Sequence, residues 1–156
     1  MILEFIWLVI LFGIFWVLGA IGHELFHGIA CAIQGYRFRI EIWWFNLTKK
    51  IKLPSMRTIP VEMESLPNED LFYYLGGIGL GGTFTLVSLI FYFIYAPLFI
   101  VLFIIGVMHF FYGIYEGSYI RKLSLNEYMK YHYILYSIGF IIGLLLVANP
   151  MIEYIW

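Results

Sequence analysis

The chain predicts an α-helical membrane protein with about four transmembrane helices and a short β-hairpin-like segment between the first and second. Three observations carry that prediction. Hydrophobic residues make up 63% of the 156, charged residues only 12%, and the mean hydropathy is +0.90. Average globular domains carry about twice that share of charge. Apolar runs of about 20 residues, the length a helix needs to cross a bilayer, recur along the chain and give four candidate spans. Between the first two lies a segment of different character, where apolar and charged residues alternate.

The first span is expected over residues 2–33, stopping at Gln34-Gly35, since glycine is a usual helix terminator. It lacks a basic leader region and reads as retained rather than cleaved. Phe38-Arg39-Ile40-Glu41-Ile42 and Lys50-Ile51-Lys52-Leu53 alternate with the period of a strand, which predicts short strands or a hairpin. Trp43-Trp44-Phe45 has the composition of an aromatic belt at a membrane interface. Pro54, Pro60 and Pro67 are expected to break the rest of this segment into loop or edge strand. The second span, about residues 75–96, opens on Gly76-Gly77-Ile78-Gly79-Leu80-Gly81-Gly82. Glycine at that density lets helix backbones approach closely, and it also leaves room for an extended chain alongside. Pro97 predicts a tight turn and the start of a third span over about 97–117. A polar stretch follows, and a fourth span over about 133–149 is closed by Pro150. The whole, residues 1–156, reads as one membrane-embedded domain.

Charge fixes the expected orientation. Arg37, Arg39, Lys49, Lys50, Lys52 and Arg57 follow the first span, and Arg121, Lys122 and Lys130 follow the third; together these are all nine basic residues. With four spans both segments lie on one side. The positive-inside rule then places loops 35–70 and 118–131 in the cytoplasm and both termini outside. A net charge of −1 says little about partners, but no basic tract suits nucleic acid, and the partner expected is the lipid bilayer. The single cysteine, Cys31, excludes an internal disulfide framework. It shares a face with His27 but reads as a small buried helix residue.

The chemistry concentrates in His23-Glu24-Leu25-Phe26-His27. Positions i and i+4 of a helix lie about 40° apart, so both imidazoles can grip one metal from one face. The glutamate between them is then placed to act as base on the attacking water. Three ionisable residues in five positions of a membrane span are costly and point to function. A catalytic zinc usually takes three protein ligands. The third span offers His109 and Glu116. His27 lies about seven residues before the end of its helix and Glu116 about five or six before Arg121-Lys122. His109 is two turns deeper, level with residues near Ala20, so depth favours Glu116 as the third ligand. His132, beside a predicted boundary, reads as an interfacial residue.

With these residues in place, the chain resembles the site-2 protease family of intramembrane zinc metalloproteases. In that family HExxH lies on one transmembrane helix, a glycine-rich stretch opens the next, and Leu-Asp-Gly ends a third. Tyr115-Glu116-Gly117 stands where Leu-Asp-Gly would. The resemblance covers roughly residues 15–122. The acid is Glu rather than Asp, and the Asn-and-Pro pattern that precedes it in the family is absent; residues 108–114 contain His109 instead. The resemblance implies one Zn²⁺ per chain on His23, His27 and Glu116, with Glu24 as catalytic base and His109 available as a hydrogen-bond donor to an oxyanion. It further implies hydrolysis of peptide bonds in membrane proteins with a transmembrane segment, whose unwound chain could pair with the edge of segment 36–53. Two other readings stand beside it. A non-catalytic membrane zinc protein, for transport, sensing or as an inactive protease-like scaffold, needs the ligands but has no use for Glu24. A di-iron desaturase or hydroxylase needs several histidine boxes, and the chain has four histidines in all.

Overall fold

The first apolar run folds as a single helix, α1 (Ile2–Ile33). Its end follows from Gly35, whose φ of 82° a residue with a side chain rarely adopts. In that conformation Gly35 N donates to Ala32 O and Tyr36 N to Cys31 O, both at 3.0 Å. This pair of bonds satisfies the last carbonyls and reverses the chain. The computed structural model describes residues 2–46, 52–61, 68–118 and 125–155. Lys49, Lys50, Pro67, Arg121 and Lys122 lie outside the described residues, as do the side chains of the Trp43-Trp44-Phe45 run and of Lys130.

After the reversal, β1 (Phe38–Asn46) pairs antiparallel with β2 (Lys52–Pro60), with Phe38 opposite Pro60 and Ile40 opposite Thr58. The expected hairpin is there, and it is longer than the alternation suggested. Pro54 sits inside β2, opposite Trp44, instead of breaking it. Each strand of a two-stranded ribbon is an edge, and edges are where proline is tolerated.

The glycine-rich run belongs to a helix that starts earlier than its apolar composition indicated. α2 (Glu69–Tyr74), a π-helical turn (Leu75–Gly79) and α3 (Leu80–Phe91) form one continuous rod. Asn68 starts it: its side chain accepts from Leu71 N at 2.9 Å, and its own N–H donates to Gln34 Oε1 at the end of α1. Glu69 and Asp70 then favour the positive end of the helix dipole. The rod stops at Phe91 rather than near residue 96. Pro97 falls in the first turn of α4 (Ala96–Ser118), where its missing N–H has no helical partner to lose.

The last helix, α5 (Leu125–Ile155), differs from expectation at both ends. It begins within the polar stretch and continues through Pro150. A proline inside a helix removes one backbone bond and bends the rod without having to end it.

Four rods therefore make up the bundle, and three are long and apolar enough to cross a membrane: Phe5–Ile33, Glu69–Phe91 and Ala96–Ser118. The apolar part of α5, Tyr131–Val147, is shorter. Only 11% of the most apolar window of α1 is buried against protein, compared with 61% for α4. Large side chains such as Leu3, Phe5, Val9 and Val17 point outward from α1. Such a surface suits lipid better than water, and with three helices of spanning length it suggests a membrane protein.

α4 is the central element. Against the α2–α3 rod it closes without side chains between: a methyl at Gly77 would stand 2.1 Å from the Cα of Gly113. Against α5 it packs Ile104, Met108 and Tyr112 onto Leu135, Tyr136 and Val147. α1 meets α5 through rings, Phe12 on Phe140 at 5.5 Å and Trp16 on Tyr136 at 5.1 Å.

Candidate metal centre

His23 and His27 lie one turn apart on α1, and both are buried. Glu116, in the last turns of α4, is buried beside them. His23 Nε2 stands 3.0 Å from His27 Nε2 and 3.1 Å from Glu116 Oε2; His27 Nε2 is 3.5 Å from the same oxygen. Three donor atoms on two helices thus converge on one point. Tetrahedral ligands at 2.0–2.1 Å from an ion are about 3.3 Å from one another. The observed spacing matches that edge length, and this buried group could hold a metal ion.

The second helical rod supports the site from behind. His27 Nδ1 lies 2.7 Å from the carbonyl of Phe72. A carbonyl only accepts, so Nδ1 carries the proton and the Nε2 lone pair faces the ion position, the usual support for a ligating histidine. The Phe72 ring stacks on the same imidazole at 4.4 Å. Gly76, inside the π turn, completes the cradle: a methyl there would stand 2.4 Å from His27 Nε2. A π turn within an α-helix often marks a functional site. Here it presents a carbonyl and a bare Cα to one ring.

On α4, Tyr112 is fully buried, and its hydroxyl donates to Glu116 Oε1 at 3.4 Å, which leaves Oε2 turned towards the histidines. His109 lies off to the side. Its ring centre is 5.6 Å from that of His23, and its Nδ1 is 2.9 Å from the Tyr136 hydroxyl of α5. Its Nε2 abuts Gly19, one turn before His23. His109 thus sits at the level helix arithmetic gives it, outside the group of three donor atoms. His132 is not a plain boundary residue: its ring packs on Tyr112 at 4.8 Å and Tyr136 at 4.6 Å.

Glu24 is half-buried, and among the described residues its carboxylate makes no hydrogen bond or ion pair. Its backbone is held instead: Thr58 Oγ1 of β2 donates to Glu24 O at 2.6 Å. Cys31 is buried with Ala30 and Phe72 as a packing residue. Along α1 the motif lies about 24–30 Å from Trp7, whose indole donates to the Tyr95 hydroxyl at 2.6 Å at the opposite end of the bundle.

Sequence reasoning missed four contributors: the Phe72 carbonyl, Thr58, Tyr112 and Tyr136. The first acts through its backbone and leaves no mark in a sequence. The glycine run did signal close packing at Gly76, without saying that the neighbour is His27.

No protein-family model matches the chain, and neither a characterised protein nor a solved structure matches it. The fold and site define its class on their own: a mostly helical chain with three helices apolar enough to span a membrane and a buried histidine–histidine–glutamate group able to hold a metal ion.

Proposed function

We propose that the chain is an intramembrane zinc metalloprotease that hydrolyses peptide bonds of membrane-protein substrates within or near the bilayer. The observation that carries this reading is the meeting of His23, His27 and Glu116 at tetrahedral spacing, with an uncommitted Glu24 in the same HExxH turn. Two imidazoles and one carboxylate suit zinc among the common divalent ions, and calcium, which takes six to eight oxygen ligands, is poorly served by a donor set of two nitrogens and one oxygen. Zinc held there supplies Lewis acidity and lowers the pKa of a water towards about 7.

The chain's own groups supply the rest. Glu24 takes the proton of the attacking water and passes it to the departing amine. Thr58 and the helix hold its backbone while the side chain stays free to move that proton. His109, bonded to Tyr136 and with its ring 5.6 Å from that of His23, is a candidate donor for the oxyanion, in place of the asparagine of the site-2 proteases. A substrate helix must unwind before its amides can react, because its carbonyls are already bonded. The hairpin offers unpaired edges to the unwound chain. The positive-inside distribution puts this face of the bundle in the cytoplasm, with both termini outside.

The test is Glu24→Gln, measured for zinc content and for cleavage of a substrate with one transmembrane segment. Zinc content should be unchanged and the rate should fall about 10²-fold or more. A variant that keeps the wild-type rate defeats this reading. A metal-loaded wild type that cleaves nothing favours the non-catalytic zinc protein.

A further inference from the structure

The hairpin is fastened to α1 inside the metal motif itself. Thr58, 8% exposed, donates to Glu24 O at 2.6 Å. Phe38 lays its ring on Gly28, where a methyl would stand 2.4 Å from a ring carbon. These two anchors occupy neighbouring rungs on one face of the ribbon, since Phe38 pairs with Pro60 and Ile40 with Thr58. One rung pair advances about 6.6 Å along a strand. Glu24 to Gly28 advances about 6 Å along α1. The two repeats match, so the ribbon runs beside α1, antiparallel to it, from the helix end back to the level of the metal ligands. The opposite face is turned away and carries Glu41 bonded to both Arg39 and Arg57.

We propose that Thr58, with Phe38 on Gly28, indexes the hairpin to the metal-binding helix, so that the ribbon acts as a ruler selecting which peptide bond meets the metal. This rests on the protease reading and adds to it the residues that set cleavage position. An extended substrate pairing with a ribbon edge can slip only in steps of two residues if its side chains are to keep their faces. The distance from ribbon to metal then decides the bond that is cut. Thr58 is a positioning residue in this scheme, because it reaches the reaction through the backbone of Glu24.

The experiment compares wild type, Thr58→Val and Thr58→Ser. Each is reconstituted with a substrate carrying one transmembrane segment, and the fragments are identified by mass spectrometry. Valine keeps the shape and loses the donor; serine keeps the donor. Thr58→Val should add cuts two residues from the main site and raise KM about 3- to 10-fold, the scale of one lost hydrogen bond. Its zinc content should not change. Thr58→Ser should restore the single cut. A second measurement needs no activity: spin labels at the exposed Ile29 and Ile42, in a Cys31→Ala background, report the helix-to-ribbon distance. That distribution should broaden in Thr58→Val and narrow again in Thr58→Ser. An unbroadened distribution, or a broadened one with the cut unmoved, overturns the ruler. Failure of the protease reading is seen separately, as a zinc-loaded wild type that makes no cut.

Discussion

Gly76→Ala tests the cradle behind His27 most directly. The new methyl would stand 2.3 Å from Cε1 and 2.4 Å from Nε2 of that ring, where ordinary contact begins at 3.4 Å. Something must move by about 1 Å, and the imidazole has little freedom to do so. Its Nδ1 is bonded to Phe72 O at 2.7 Å and its face is stacked on the Phe72 ring. Metal–ligand distances hold to about ±0.2 Å, so a 1 Å displacement removes His27 as an effective ligand. Loss of an outer support alone costs 10- to 100-fold in metal affinity, and loss of the ligand should cost at least 100-fold. The assay is competition against a chromophoric chelator on purified protein. Gly82→Ala is the control, because a methyl there meets nothing within 4 Å in the same rod. Wild-type zinc affinity in Gly76→Ala would refute the cradle. An equal loss in Gly82→Ala would show that the helix, and not the ring, had been damaged.

Three further outcomes follow from the same geometry. Glu116→Ala should lower zinc occupancy strongly in elemental analysis, whereas His109→Ala should leave it near normal, because its ring lies outside the three-atom group. Chelation should lower the unfolding temperature of the protein in detergent, since an ion that binds only the folded chain adds about 2.7 kcal/mol at 100 times its Kd; an unchanged melt would count against a metal bridging α1 and α4. Cysteines placed at Lys50 and Lys122 should be labelled from the same side of the membrane and the termini from the other, and labelling of those two positions from opposite sides would remove the four-span topology.

What could be read from the sequence was whatever repeats with a helix or is forced by one residue. Gly35 ends α1 because only a residue without a side chain takes its φ cheaply, and that is visible in the letter G. The placement of Glu116 with the histidines, and of His109 two turns deeper, follows from a rise of 1.5 Å per residue applied to helices of known ends. The prolines show where such reading stops. Pro54 and Pro150 each carry the same local signal as Pro97, yet one sits in a strand and one in a helix; for Pro54 it is the edge position of the strand that decides what a missing N–H costs. Contacts made through the main chain, such as His27 to Phe72 O and Thr58 to Glu24 O, have no signature in composition at all. The start of α5 among polar residues was hidden for a related reason: polarity marks contact with water, and helix caps and tertiary packing set where a helix begins.

The division of donors between α1 and α4 has a consequence for how the protein is made. The helix bearing two imidazoles is synthesised first, and the carboxylate comes only after the hairpin and the glycine-rich rod. Throughout that interval the nascent chain has two of the three donors, too few to hold an ion firmly at an open position. A metal held by this group would therefore have to wait for α4 to pack against α1, and would then tie the first and third long helices together. A bundle delayed at this stage would present a pair of imidazoles with no carboxylate, which makes the joining of those two helices the step that completes the group of three donors.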